Sequence, residues 1–151
     1  MGRAATSRGD KLSGGCLCGA VRFTAEPGSR QFGTCHCGMC RRWSAGVFLA
    51  VECEDRFTIE DETNLGVYRS SAWAERGFCK KCGTPLFYRM TGQGYYAVSL
   101  EALDDRAGFT FVSQIFIDEK PPYYDFANVT KTMTGAEVAS AFASPGEKGG
   151  A

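Results

Sequence analysis

The sequence predicts a mainly β domain, and three observations predict it. Nineteen glycines are spread along 151 residues. Short runs that alternate apolar and polar side chains follow one another, as strands with one buried face do. Only two brief stretches have a helical look, at Met39 to Trp43 and at Gly135 to Phe142. A chain of this length falls within the usual size of one domain. A domain spanning 12–128 is therefore expected, between a flexible polar lead at 1–11 and a C-terminal tail at 129–151 that is partly helical or disordered.

The elements can be taken in order. The body begins at Leu12, and Gly14-Gly15 stands just before the first cysteines. Ala20 to Ala25 (AVRFTA) alternates and reads as a strand. Gly46 to Ile59 reads as one long strand, with Val47, Leu49, Val51 and Cys53 along a single face. Further strands are expected at about Leu65 to Arg69, Ala74 to Phe78, Pro85 to Arg89, Tyr95 to Leu100 and Phe111 to Ile117. The terminal SPGEKGGA lacks the apolar content needed to pack and reads as loose.

Charge excludes some functions. Seventeen basic residues balance seventeen acidic ones, so the chain lacks the net positive field that drives attachment to nucleic acid or anionic membranes. No run approaches the roughly 20 apolar residues that span a bilayer, and the start has no apolar secretory core. A soluble, cytoplasmic protein is expected, with neither nucleic acid nor membrane as partner. Met1-Gly2 with Thr6 loosely fits a lipidation pattern, and Asn128-Val129-Thr130 a glycosylation pattern; both patterns are too short to outweigh a plain polar segment.

Eight cysteines in such a chain point to metal, because a reducing compartment keeps thiols free. They occur as Cys16-Leu17-Cys18, Cys35-His36-Cys37-Gly38-Met39-Cys40, a lone Cys53, and Cys79-Lys80-Lys81-Cys82. A Cys-x-x-Cys turn followed by Gly83 folds two sulfurs to one side, and Cys16 with Cys18 can complete a tetrahedral four-thiolate zinc site of the structural kind. Cys35, Cys37 and Cys40 supply three thiolates within six residues. Three ligands leave a fourth position for water or a substrate thiol, which is the arrangement of catalytic zinc. Were Cys53 to close that site, the chain would be a non-catalytic binding module with two structural zincs; its place beside Leu49 and Val51 reads instead as core. His36 could be a fourth ligand, a proton carrier or a packed ring, and in an extended Cys-x-Cys stretch its side chain points away from both sulfurs.

These motifs carry a resemblance. Gly14-Gly15-Cys16-Leu17-Cys18-Gly19-Ala20, Cys35-His36-Cys37-Gly38-Met39-Cys40-Arg41, and Arg76-Gly77-Phe78-Cys79-Lys80-Lys81-Cys82-Gly83-Thr84-Pro85-Leu86-Phe87 together resemble the glutathione-dependent formaldehyde-activating enzymes, a family that includes centromere protein V domains. The likeness runs from about Leu12 to Phe126, with Lys120-Pro121-Pro122-Tyr123-Tyr124 similar to a late aromatic loop. It implies a β-tent fold and two zinc ions per chain, one on Cys16, Cys18, Cys79 and Cys82 and one on Cys35, Cys37 and Cys40. It also implies a carbon-sulfur lyase resembling S-(hydroxymethyl)glutathione synthase, which adds a thiol, glutathione by this likeness, to formaldehyde or another small aldehyde. Cys35, Cys37 and Cys40 would then be the catalytic set, with Arg41, Arg42 or Lys120 as candidates for the glutathione carboxylates. The chain departs from the pattern at Gln114, where members often carry a histidine. A homodimer is left open.

Overall fold

The computed structural model describes residues 10–92 and 94–142. The lead up to residue 9, with its lipidation-like start, and the glycine-rich end after Phe142 lie outside the described residues. Among the described residues the fold is mainly β, with two short helices, and it divides into two compact units. One is the chain up to Phe32 together with Leu49–Thr110; the other is Gly33–Phe48 together with the chain from Phe111 onward.

The first unit holds two antiparallel arrays. β1 (Leu12–Gly15), β2 (Arg22–Ala25) and β5 (Phe57–Ile59) form a three-stranded sheet in the order β1-β2-β5. β4 (Leu49–Glu54), β9 (Tyr95–Ser99), β8 (Pro85–Met90), β7 (Ala74–Cys79) and β6 (Leu65–Arg69) run side by side in that order. Alternation does what the sequence promised: Phe23 and Ala25 of β2, and Val51 and Cys53 of β4, are buried while their neighbours are not. These side chains meet in a core whose centre is aromatic. Phe57 lies 4.9 Å from Phe23, 5.1 Å from Phe87 and 4.8 Å from Tyr96, ring centre to ring centre. Offset and edge-on pairs at such separations add to the stabilisation from burial alone. Phe87 sits opposite Gly77 of β7, and a Cβ at Gly77 would lie 2.2 Å from the Phe87 ring, so the missing side chain is what lets the ring lie flat on β7.

The single long strand expected from Gly46 to Ile59 is two strands. The pairing of β4 with β9 shifts between Glu52 and Glu54, and Glu54 takes a left-handed conformation at φ 48°. A bulge of this kind bends a strand out of its ladder. The chain leaves β9 there, and Phe57–Ile59 joins β2 instead. Val47, assigned to the inward row, precedes β4 and is exposed.

The second unit holds β11 (Lys131–Met133), most of β10 (Thr110–Ile115) and the Gly33–Cys35 part of β3 (Gln31–Cys35), in the order β11-β10-β3. β10 and β11 are parallel, with Gln114 opposite Thr132. α1 (Gly38–Ser44) begins at Cys37, whose sulfur accepts the Cys40 amide, and stops at Ala45 in the left-handed region. α2 (Gly135–Phe142) opens on a reciprocal cap: the Thr134 hydroxyl accepts the Glu137 amide at 3.1 Å while the Glu137 carboxylate accepts the Thr134 amide at 2.7 Å. Two otherwise unpaired helix-end donors are satisfied at once. No helix among the described residues is long and apolar enough to cross a membrane.

Candidate functional site

Seven of the eight cysteines come together in two groups, and both lie where the sequence motifs put them. Cys16, Cys18, Cys79 and Cys82 bring four sulfurs within 4.8 Å of one another in the first unit. Cys35, Cys37 and Cys40 bring three together within the same limit in the second. Cys53 belongs to neither group and is part of the core, 1% exposed.

The four-sulfur group is built from two matching turns. In one, the Cys16 amide bonds Val21 O and the Val21 amide points at Cys16 Sγ, 3.3 Å away. In the other, the amides of Lys81 and Cys82 point at Cys79 Sγ, at 3.3 and 3.4 Å. Gly83, at φ 83°, closes this turn with its amide on Cys79 O, a conformation open to glycine at little cost. Amide hydrogens aimed at sulfur favour the thiolate. Thr84, part of the third motif but given no role there, ties the turns together: its hydroxyl accepts the Leu17 amide at 3.1 Å and lies 3.1 Å from Cys82 Sγ. That hydroxyl, with backbone groups of Thr84 and Cys18, pulls the Cys82 thiol down to about 5. Four converging sulfurs, one already acidic and two backed by amides, fit a tetrahedral thiophilic ion.

The three-sulfur group spans the end of β3 and the start of α1. Cys35 closes the strand, and Cys37 caps the helix with its sulfur 3.4 Å from the Cys40 amide. The sulfurs are near enough to compete for protons. Hydrogen bonds from Cys35 and then Cys40 hold Cys37 far below the ordinary thiol range, to about 2. Cys35 is driven far above that range by Cys37 and Cys40 in turn. Three such thiols ionise together only beside a cation, so this donor set also fits a metal ion. It offers three ligand atoms where the other group offers four.

His36 is 1% exposed and is absent from the sulfur group. Its Nδ1 lies 2.8 Å from the Tyr124 hydroxyl and its Nε2 lies 2.8 Å from Gln114 Oε1. Gln114 donates in turn to Thr130 Oγ1 at 2.9 Å. Both ring nitrogens are thus committed away from the sulfurs, as extended geometry through Cys35 and Cys37 requires. Sequence reasoning placed Tyr124 in a late aromatic loop without pairing it with His36, and it did not find Thr130; both lie far from His36 along the chain.

Two candidate anchors for carboxylates are spent on the chain itself. Arg41 donates from Nε to His36 O at 2.8 Å and from Nη2 to Glu119 O at 3.5 Å, and Glu119 accepts the Gly38 amide at 2.9 Å. Lys120 bonds Pro121 O at 3.0 Å, Tyr124 O, and Asp125 Oδ1 at 2.7 Å, with its ammonium 5.4 Å from the Tyr124 ring centre. Lys120 is the clasp of the loop that carries Tyr124. Arg42 is exposed.

The family model described as glutathione-dependent formaldehyde-activating enzyme matches residues 11–119. The chain belongs to that family. An uncharacterized lyase of Schizosaccharomyces pombe is 39% identical to it over 129 residues, 85% of this chain and 94% of the relative. A Halomonas elongata protein, provisionally named a glutathione-dependent formaldehyde-activating enzyme, is 29% identical over 85 residues, and the match spans about half of each chain, 50% and 54%. A crystal structure of a Rhodobacter sphaeroides protein superposes with a TM-score of 0.55 at 22% identity, covering 67% of this chain and all of that one, a likeness of fold alone.

Proposed function

We infer that this family member is a zinc-dependent carbon-sulfur lyase, which joins a thiol to a small aldehyde at Cys35, Cys37 and Cys40 and runs the reverse cleavage. Glutathione and formaldehyde are the pair we assign, on the strength of the family and of the lyase name borne by the yeast relative. The observation that carries the reading is the unequal pair of sulfur groups, four ligand atoms in one and three in the other, with the neighbouring His36 turned to Tyr124 and Gln114.

In the forward direction the thiol S–H bond breaks and an S–C bond forms. The carbonyl π pair moves to oxygen, which takes the proton. Zinc on the three cysteines would supply Lewis acidity that keeps a substrate sulfur in its nucleophilic, thiolate form. The chain supplies the rest. The Cys37 cap fixes α1 against the end of β3, which holds the three sulfurs in register. Arg41, bonded to His36 O, ties the helix to the strand end. Lys120 clasps the Pro121 to Asp125 stretch and so presents Tyr124 beside His36. We assign the four-cysteine group to a structural zinc, and place the reaction in a reducing, cytoplasmic setting that keeps these thiols free.

The test combines metal analysis with cobalt substitution. Two metal ions per chain are expected, and titration with glutathione should change the cobalt spectrum of the native protein by adding a sulfur donor. The Cys37→Ser variant should keep its fold and lose that response. Exchange between glutathione and formaldehyde, followed by NMR, should run faster with protein than without. A cobalt spectrum that no thiol alters, with exchange at the spontaneous rate, would leave a binding module with two structural metals.

A further inference from the structure

His36 is the single histidine of the chain. A neutral imidazole has one N–H and one bare nitrogen, and which is which depends on the groups they face. Nε2 faces Gln114 Oε1, an acceptor, while the amide nitrogen of the same side chain donates to Thr130 Oγ1. In the neutral ring the hydrogen therefore sits on Nε2. Nδ1 is left bare and accepts the Tyr124 hydroxyl. Every donor in this row points the same way: Tyr124 into His36, His36 into Gln114, Gln114 into Thr130. With its own hydrogen committed to His36, the Tyr124 oxygen is an acceptor for whatever meets it next. Tyr124 is half-buried, held from behind by Lys120, and within electrostatic reach of the Cys35 sulfur and Arg41.

We propose that Gln114 is a positioning residue that locks His36 in the Nε2–H form, and that this lock makes the Tyr124 oxygen the hydrogen-bond acceptor for the hydroxyl of an S-hydroxymethyl thiol. The lock stands on the four side chains alone; the identity of the hydroxyl rests on the lyase reading. The contact orients the C–O bond of the bound adduct, and no bond to Tyr124 forms or breaks. In the alternative tautomer Tyr124 would turn its hydrogen outward and donate to the carbonyl oxygen of a free aldehyde; the lock instead presents an acceptor, which suits the adduct, with an O–H to give, over the aldehyde, with none.

A lone histidine makes the experiment clean, since long-range proton–nitrogen correlation on the 15N-labelled, metal-loaded protein shows one imidazole only. The wild type should give a protonated Nε2 and a bare, hydrogen-bonded Nδ1. Gln114→Glu keeps an acceptor at the same place and should keep that pattern, while Gln114→Met should average it. Tyr124→Phe should retain the Nε2 hydrogen and shift the Nδ1 resonance. For cleavage of S-(hydroxymethyl)glutathione, kcat/KM should fall about tenfold in Tyr124→Phe and in Gln114→Met, the loss of one good hydrogen bond, and hold within about threefold in Gln114→Glu. A hydrogen on Nδ1 in the wild type, or an unaltered spectrum in folded Gln114→Met, overturns the lock. Undiminished kcat/KM in Tyr124→Phe overturns the acceptor role. The expected spectrum in a protein that cleaves no adduct removes the lyase reading, and the acceptor role with it, while the lock stands.

Discussion

Replacing Gly77 with alanine tests whether the core is stacked as described. Gly77 and Phe87 face each other across β7 and β8, and a Cβ at position 77 would lie 2.2, 2.3 and 2.8 Å from three carbons of the Phe87 ring. Carbon atoms rest about 3.5–4.0 Å apart, so the ring must retreat by roughly 1.3 Å. It has nowhere to go. Phe87 is 0% exposed and already sits 5.1 Å from Phe57 and 5.4 Å from Tyr96, ring centre to ring centre. Overpacking of a well-filled core costs about 1–3 kcal/mol, which for a chain of this size lowers the midpoint of thermal unfolding by roughly 2–12 °C. The same strand ends at Cys79, so strain at Gly77 should also speed metal release to a chelator. Thermal unfolding followed by circular dichroism in excess zinc measures the first effect and a colorimetric chelator the second. Combining Gly77→Ala with Phe87→Leu should recover part of the loss, because the clash is with the ring. A Gly77→Ala protein that melts within about 1 °C of the wild type would show that no ring lies on that strand.

Other predictions follow from the site. Cys79→Ser should cost the first unit its fold in a circular dichroism melt, since a structural zinc supplies on the order of 10 kcal/mol; Cys37→Ser should leave that melt intact, and equal effects of the two would contradict the division of labour between the sulfur groups. Burial, aided by the Glu52 charge, pushes the Cys53 thiol up to about 12, so Cys53→Ala should keep its full metal content and lose about 1 kcal/mol; a missing metal ion by mass spectrometry would make Cys53 a ligand after all. Lys120→Met should raise proteolytic cleavage in the Pro121 to Phe126 stretch and lower lyase turnover, whereas unchanged cleavage would deny Lys120 its clasp. Asp104 is held below its ordinary 3.8 by the hydrogen bond from Arg22. A depressed carboxyl stabilises the fold above its unfolded pKa and loses that contribution as pH falls through the folded value, so Asp104→Asn should flatten the acid side of the melting-temperature profile below about pH 4; a profile parallel to the wild type would refute the pairing.

The sequence revealed those parts of the structure whose cause is local. Leu65 to Arg69 and Gly135 to Phe142 are expected at the bounds they occupy in β6 and α2, because β-prone side chains in one and a capped apolar stripe in the other act within a few residues. The cysteine groups were legible for the same reason, as each turn places two sulfurs by its own geometry. β3 was missed because Gln31–Cys35 carries Gly33 at its centre, where alternation would call for a side chain; a Cβ there would lie 2.3 Å from the Ser113 hydroxyl, a constraint imposed from β10. β11 has three residues, too few to show a period. The bulge at Glu54 follows no motif, so β4 and β5 read as one strand. The partners of His36 stand 78 and 88 residues away from it, and nothing near His36 in the sequence announces them. Lys120 was read as an anchor for substrate because a cation beside an aromatic loop looks available, yet the loop's own carbonyls claim it.

The parallel pairing of β10 with β11 has an evolutionary consequence. A tight hairpin cannot join parallel strands, so between Ile115 and Lys131 the chain must travel back to the level of Ser113, and it makes that journey through Pro121, Tyr124 and Phe126. This return path is a topological obligation, but its wording is free apart from Tyr124, which His36 holds. Relatives could rewrite the loop to suit bulkier aldehydes or other thiols while the ladder that holds Gln114 keeps its register. If the chain is the lyase inferred above, chimeras that exchange the loop around a retained Tyr124 are a route to new substrate range in this scaffold.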